Sequence, residues 1–256
     1  MTVAPTIEDP AYFDRLAGVE AGHWWALGMW RLAAYWLDDA LAGRGRAHGL
    51  RSLDVGCGTG QTAVRLARRP EIGSVVGLDP SPEALGHARR RHAFPLVRGS
   101  ALALPFPDGR FDVLTCFDVF QHLGAGGDRR AAAEIRRVLA PGGVAVVRAN
   151  GRGFSGGATA YRLGDLVGVL SGSGLRVVRA SYANGLPALA QECRGRLVRS
   201  GPPGHPSGGG LQIRTPHPAL NRVMRGVAGA EAWLAGRAGV RLPFGHSTLV
   251  CAVAPG

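Results

Sequence analysis

The chain has 256 residues, of which 46% are hydrophobic, enough for one substantial core and therefore for one domain with additional elements. Its formal net charge of +12 rests on arginine alone, because the chain contains no lysine, and the arginines are scattered rather than gathered on one segment. This distribution argues against a nucleic-acid partner. The four cysteines lie far apart without a CxxC spacing, which argues against a disulfide framework or a zinc site.

The amino terminus, MTVAPTIEDP, lacks the basic flank and apolar core of a signal peptide. The longest apolar stretch, 23–37, is shorter than the roughly 20 residues of a membrane span and is interrupted by Arg31. We therefore expect a cytoplasmic protein without a membrane span. The aromatic residues of this stretch predict an amphipathic helix with a face to bury.

From about residue 50 to residue 180 the sequence alternates short β-branched runs with helical stretches. This alternation is typical of βαβ units around a parallel sheet. Strands are predicted at 50–55, 74–79, 95–98, 111–116, 143–148 and 175–181, with a seventh at 247–253. Helices are predicted from Ser81 towards His92, from near Asp128 to the residue before Pro141, and over 165–170.

Two regions lie outside this alternation. The first is the aromatic amino-terminal segment, and the second is the stretch of about 184–245, which holds two helical patterns separated by a turn-rich loop at 201–210. Both regions are predicted to add helices to the α/β core.

A glycine-rich turn, LDVGCGTG at 53–60, joins the first predicted strand to the first helix, where absent Cβ atoms let a ligand approach the main chain. The Gly-x-Gly-x-Gly spacing departs from the dinucleotide fingerprint, and Asp54 suits a phosphate poorly. A carboxylate there suits a ligand with an ammonium group, such as the methionine end of S-adenosylmethionine. Asp79, at the end of the second strand, is placed to accept hydrogen bonds from ribose hydroxyls.

Four motifs follow one another in the chain: LDVGCGTG, VVGLDPSPEAL, ALPFPDGRFDVLTCFDVFQHL and RRVLAPGG. In this order they resemble the motifs of class I S-adenosylmethionine-dependent methyltransferases, in particular the ubiquinone-biosynthesis-like branch that acts on small molecules. The resemblance implies an α/β fold: a Rossmann-like, doubly wound, seven-stranded and mostly parallel sheet with helical lid elements. It implies a cofactor-binding core at 49–183 and 246–256, an amino-terminal helical lid at 1–48, and a helical insertion or lid at 184–245.

The resemblance also implies which residues hold S-adenosylmethionine, the cofactor that becomes S-adenosylhomocysteine. In many relatives an aspartate stands where this chain has Ser100, which is shorter and uncharged, so the contact with the adenine amino group is expected to differ. Phe117 is expected near the transferred methyl group, with ordinary core packing as the alternative. The expected cofactor-binding residues are Asp54, Gly56, Cys57, Gly58, Gly60, Asp79, Pro80, Ser100, Ala101, Leu102 and Phe117.

His122 is the candidate general base, because a histidine can take a proton from an acceptor hydroxyl near neutral pH and some related small-molecule methyltransferases carry a histidine at a similar position. A structural hydrogen-bonding role is the alternative. Asn150, with Arg148 two residues before it, follows the fifth strand and is placed to hydrogen-bond the acceptor. The expected acceptor-binding residues are Tyr12, Phe13, Trp24, Trp25, Asn150, Trp233 and His246.

The sequence thus predicts a methyltransferase that uses S-adenosylmethionine to methylate an oxygen or nitrogen of a small-molecule acceptor, without a metal ion. A secondary metabolite is one candidate acceptor. Two alternatives stay open at this point. One is an RNA methyltransferase, and the other is a protein that keeps the methyltransferase fold for cyclisation or binding.

Overall fold

The computed structural model describes residues 10–42, 48–151, 160–187 and 217–256. Seven strands form one sheet in the order β3-β2-β1-β4-β5-β7-β6, in which β1 to β5 pair in parallel and β7 runs antiparallel to both of its neighbours. The predicted doubly wound, mostly parallel sheet is confirmed. The strands are β1 Leu50–Val55, β2 Ile72–Asp79, β3 Leu96–Arg98, β4 Phe111–Phe117, β5 Leu139–Asn150, β6 Arg176–Ala183 and β7 Ser247–Val253.

Seven α-helices surround the sheet in the described part of the chain. The helix predicted from Ser81 is present, and the Ser81 hydroxyl accepts a hydrogen bond from the Ala84 amide at 3.1 Å, which caps its first turn. The helices are α1 Pro10–Val19, α2 Trp24–Ala42, α3 Gln61–Ala67, α4 Pro82–Arg91, α5 Gly127–Val138, α6 Leu163–Gly172 and α7 Pro218–Gly236.

Strand β5 begins earlier than the sequence predicts. Helix α5 ends at Val138, two residues before its predicted end, and Leu139 already pairs with Phe111 of β4. The pairing resumes at Val144 after a register shift, so the two glycines after Pro141 form an irregular segment inside the strand rather than a separate turn.

The sheet is covered on both faces, which explains why its central strands are almost continuously buried. One face packs against α5 and α6, with Ile135 and Leu166 fully buried. The other packs against α2, α3 and α7, with Trp36 and Leu66 inside. The carboxyl ends of β1, β2, β4 and β5 meet at one edge, where open α/β sheets bind ligands.

Helix α7 packs with α2 on one face of the sheet and contributes no residue to the cavity at the carboxyl ends of the strands. It runs beside α2, where the Gly28 position leaves no room for a Cβ against Ala228 and the Trp36 indole donates to the Ala235 carbonyl at 3.2 Å. Of the predicted lid at 184–245, the described residues 184–187 and 217–245 do not line the cavity at the carboxyl ends of the strands; its remainder, with the predicted loop at 201–210, lies outside the described residues. In the described segments, no helix is long and apolar enough to cross a membrane.

Candidate active site

A cavity of about 540 Å³ opens at the carboxyl ends of the parallel strands and is covered by α1 and the first turns of α2. It brings together thirteen of the residues expected from the sequence to bind cofactor or acceptor, and with them the expected base. These are Tyr12, Phe13, Trp25, Asp54, Gly56, Cys57, Gly58, Asp79, Pro80, Ser100, Ala101, Phe117 and Asn150; the expected base, His122, lines the same cavity.

Asp54 is a buried carboxylate in the wall of this cavity, 1% exposed, at the carboxyl end of β1. Its Oδ1 accepts a hydrogen bond from the Thr115 hydroxyl at 2.6 Å, while Oδ2 has no hydrogen-bond partner among the described residues. Burial raises the pKa of Asp54 to about 7 against the opposing effect of Thr115. Such a group favours a cation that would restore its charge.

The glycine turn after β1 is held by Asp79 from the end of β2. One carboxylate oxygen of Asp79 accepts from the Gly58 amide and the other from the Ser81 amide, both at 2.9 Å. Gly56 and Gly58 have φ angles of 70° and 54°; a Cβ at Gly56 would overlap Val119, whereas none of the surrounding atoms lies within 4 Å of one at Gly58. The turn therefore leaves open space beside its main chain.

The side of the cavity formed by β4 and β5 is aromatic and polar. Phe117 and Asn150 line it, and Trp25 of α2 faces them. His122 lies in a single turn of 3-10 helix, Phe120–His122, with its amide donating to the Val119 carbonyl at 2.9 Å. Burial lowers the pKa of His122 below its ordinary value, so the imidazole is neutral at pH 7 and able to accept a proton.

Arg148 is an almost completely buried cation in the same wall, 3% exposed. Its Nη2 forms an ion pair with Asp118, and its guanidinium stacks on the Trp25 ring with 4.1 Å between Cζ and the ring centroid. Nε and Nη1 have no hydrogen-bond partner in the described structure. Burial lowers the pKa of Arg148 to about 9, which leaves it charged at neutral pH.

Polar contacts fasten the amino-terminal helices over the cavity. Arg91 of α4 donates to the Ala17 carbonyl at 2.6 Å, and Arg65 of α3 donates to the carbonyls of Ala26 and Glu20 at 3.0 and 3.3 Å. The Glu20 carboxylate accepts a hydrogen bond from the Thr59 hydroxyl. Burial raises the pKa of Glu20 to about 7, with the two arginines opposing the shift and Asp54 adding to it.

Two expected cofactor residues lie outside the cavity lining. Gly60 has a φ of 89°, and a Cβ there would stand 3.0 Å from the His92 ring and 3.2 Å from Ala88, so its glycine is explained by packing against α4. Leu102 packs against the core, although its amide donates to the Ser100 hydroxyl at 3.2 Å.

Three expected acceptor residues also lie elsewhere. Trp24 starts α2, where its amide donates to Asn221 of α7 at 3.0 Å. Trp233 is 51% exposed on α7, a helix that packs against α2 and contributes no residue to the cavity. The His246 carbonyl accepts from the Gly151 amide at 2.8 Å in the approach to β7, outside the cavity lining.

Several residues that line the cavity were not predicted from the sequence. Asp118 and Gln121 follow β4 directly, and polar residues at the carboxyl end of a parallel strand are a signal that could have found them. Arg65 lies on α3, the helix that follows the glycine turn, whereas Glu20 reaches the cavity through contacts of the α1 segment with α3 and α4, and no local pattern reports such docking. Across the described ranges, His, Cys, Asp and Glu do not gather into a group of three or more able to hold a metal ion.

Comparisons with known proteins agree with this geometry. A family described as a methyltransferase domain matches residues 53–143. The demethylmenaquinone methyltransferase of Thermus thermophilus is 41% identical over 102 residues, covering 38% of this chain and 46% of the relative. The fatty-acid O-methyltransferase of Mycolicibacterium smegmatis is 36% identical over 119 residues, covering 42% of this chain and 39% of the relative.

The chain thus spans less than half the length of both relatives. A methyltransferase solved in complex with the Trm112 methyltransferase activator of Haloferax volcanii shares the fold, with a TM-score of 0.60 and 21% identity over 99% of this chain and 100% of that one. Sheet order, glycine turn and family match agree with one another: residues 53–143 match a methyltransferase domain, and the whole sheet has the fold of a solved methyltransferase.

Proposed function

We propose that the chain transfers the methyl group of S-adenosylmethionine to an oxygen or nitrogen atom of a small-molecule acceptor. The observation that carries this proposal is one continuous cavity with buried carboxylates at one end and aromatic, basic and amide side chains at the other. A methyl transfer needs both a cofactor site and an acceptor site, and it needs them side by side.

The residues at the first end fit the cofactor. Asp54 is a buried carboxylate with an unpartnered oxygen, which suits an ammonium group, and the open space beside Gly58 suits a ligand lying against the main chain. Asp79 keeps lone pairs for ribose hydroxyls beyond the two amides that it already accepts. Ser100 and Ala101 line the cavity where the family resemblance expects adenine.

When bound, S-adenosylmethionine supplies a methyl group attached to a positively charged sulfur. The residues of the chain then have three tasks: the carboxylates hold the cationic end, the aromatic walls formed by Trp25 and Phe117 exclude water, and His122 accepts a proton from an acceptor hydroxyl. Proximity of the two ligands accounts for most of the acceleration expected of such an arrangement.

A small and mainly apolar acceptor is favoured over RNA for two reasons. The cavity is roofed by α1 and α2, and its volume lies in the range of small-molecule sites. The two relatives described above are named for a quinone and a fatty acid, which are small apolar compounds. The sequence and the described structure display no nucleic-acid-binding motif that would favour the RNA alternative.

The test is incubation of purified protein with methyl-labelled cofactor and extracts of its source, followed by mass spectrometry. We expect one compound to gain the labelled methyl group, and Asp54→Asn to slow that gain. Cofactor binding measured by calorimetry, without a mass gain on any compound, would instead support the alternative of a non-methylating protein.

A further inference from the structure

Arg148 is built into the acceptor end of the cavity with part of its hydrogen-bonding capacity unused. It lies in β5, two residues before Asn150, and only 3% of it is exposed. Nη2 pairs with Asp118, but Nε and Nη1 have no partner among the described residues. Leaving buried donors of a cation unsatisfied is costly, and such groups in native proteins call for an explanation.

The surroundings define what kind of group would satisfy Arg148. The Trp25 ring covers a face of the guanidinium at 4.1 Å, whereas the N–H bonds lie in the guanidinium plane and point outward along its edge. Those bonds are donors only. A partner must therefore bring an oxygen that accepts hydrogen bonds, and charge makes an anionic oxygen the best one.

Asp118 balances the charge of Arg148 but does not accept hydrogen bonds from its Nε and Nη1 groups. Asp118 has a φ of 58° directly after β4, its side chain is about one-third exposed, and its own Oδ1 is unpartnered. The other ionisable groups that line the cavity at this end are His122, whose burial favours the neutral form, and Tyr12. Arg148 is thus the positive charge of the acceptor end.

We propose that Arg148 selects acceptors that carry a negatively charged oxygen, a carboxylate or a phenolate, on an apolar body. This inference rests on the proposed function, because it names the chemical class of the acceptor. The anionic oxygen contacts the free edge of the guanidinium, and the aromatic walls contact the apolar body. Arg148 is then a specificity-determining residue of the acceptor site.

Binding of four compounds to the chain without cofactor tests the proposal, so the outcome does not depend on methyl transfer. Decanoate is compared with methyl decanoate, and 4-nitrophenolate with 4-nitroanisole, by calorimetry at a pH where both acids are ionised. We expect at least one anion to bind about tenfold or more tightly than its neutral partner. A preference for decanoate alone assigns a carboxylate acceptor, and one for nitrophenolate alone assigns a phenolate.

Variants identify the residue responsible. Arg148→Met alone would leave Asp118 without its partner and is expected to destabilise the fold, so the decisive variant is Arg148→Met combined with Asp118→Asn, which removes both charges. Asparagine tolerates the φ of 58° at position 118. We expect the double variant to lose the anion preference and Asp118→Asn alone to strengthen it several-fold, because a competing negative charge is gone.

A merely structural Arg148 would give a different result. Equal affinity of the wild type for each anion and its neutral partner would overturn the proposal, as would an anion preference that survives in a folded double variant. Failure of methyl transfer in the extract experiment, with the anion preference present, would overturn the proposed function and leave the anion site established.

Discussion

The two ends of the cavity are assembled in different ways. The cofactor end comes from the loops after β1 and β2 and includes Asp54, Gly58 and Asp79, which lie within 26 consecutive residues, 54–79. The acceptor end takes Trp25 from α2, Arg148 from β5 and further residues from the segment after β4. A site made by one continuous β–α–β unit leaves a local signature in the sequence, whereas a site made by docking distant segments does not.

The ends also differ in charge. Asp54 and Glu20 place carboxyl groups with raised pKa values at the cofactor end. The acceptor end has a buried arginine, paired with the partly exposed Asp118, and a histidine whose pKa is lowered by burial. This arrangement suits a cationic cofactor beside an acceptor that carries a negative charge or loses a proton.

The largest expected effect belongs to the acceptor end. For an acceptor hydroxyl, His122→Ala should lower kcat by about 10²–10⁴-fold, the usual contribution of a general base. Affinity for S-adenosylhomocysteine, measured by calorimetry, should stay nearly unchanged. Because burial lowers the pKa of His122, the acid limb of the wild-type profile should lie below about 6.5: the imidazole is protonated, and the rate lost, only as pH falls through that lowered value.

The control for this variant is His48→Ala, because His48 is exposed near the Pro70 carbonyl and does not line the cavity. Turnover should be unaffected by that change. If a folded His122→Ala variant kept full turnover on a hydroxyl acceptor, His122 would be a structural residue and proximity would suffice.

Asp54→Asn tests the cofactor end and should weaken binding of S-adenosylhomocysteine about tenfold to hundredfold. The expectation follows from the loss of a charge-assisted hydrogen bond, which is worth about 1.5–3 kcal/mol. Asp108→Asn is the matched control, since Asp108 is exposed and pairs with Arg137 outside the cavity. Calorimetry measures the affinity of both variants for S-adenosylhomocysteine. If the Asp54→Asn variant bound it as tightly as the Asp108→Asn control, Asp54 would not belong to the cofactor site.

The same contrast explains what the sequence could predict. Every strand was placed to within a few residues, because buried β-branched runs alternate with helices whose starts carry signals such as the capping residue Ser81. The glycine turn and Asp79 were found because their spacing is local. The predicted sheet is confirmed, and the match of residues 53–143 to a methyltransferase domain agrees with the predicted family and cofactor; the individual binding and catalytic roles stay predictions.

The acceptor end was predicted less well for a physical reason. Trp24, Trp25 and Trp233 are equivalent in an amphipathic pattern, since periodicity shows which residues prefer burial but not what buries them. Helix packing decides which tryptophan joins the site. Helix α2 places Trp25 in the cavity lining, whereas α7 contributes no residue to the cavity and leaves Trp233 exposed. Glu20 was not predicted for the same reason, because contacts of the α1 segment with distant helices place it in the cavity lining.

A change in pH should have a milder effect on the affinity of the cofactor end for its ligand. The pKa values of Asp54 and Glu20 are raised to about 7, so both carboxyls gain protons as pH falls through 7 and their attraction for an ammonium group weakens. Affinity for S-adenosylhomocysteine should therefore fall below pH 7, by at most about tenfold per pH unit for each proton displaced, and level off above pH 8. Calorimetry from pH 5 to 9 would check this.

The Asp54→Asn variant is the control for the pH experiment, because it removes one of the two titrating groups and should flatten the curve. Stability of the unliganded chain should show the opposite trend. Carboxyl groups with raised pKa values ionise more easily in the unfolded chain, so the free energy of unfolding should decrease as pH rises from about 4 to 7. An affinity that is constant from pH 5 to 9 would contradict the raised pKa values.

The smallest expected effect separates the two tryptophans. Trp25→Leu should raise the KM for the acceptor several-fold, because the ring forms a wall of the acceptor end and stacks on Arg148, a contact worth about 0.5–2 kcal/mol. Trp233→Leu should leave both KM and kcat unchanged, since that ring is 51% exposed on α7. Affinity for S-adenosylhomocysteine should be the same in both variants, because neither ring belongs to the cofactor end. Steady-state kinetics with the acceptor identified by mass spectrometry measure the difference. A rise in KM for Trp233→Leu as large as that for Trp25→Leu would mean that α7 joins the acceptor site during turnover, and the contrast between the two helices would fail.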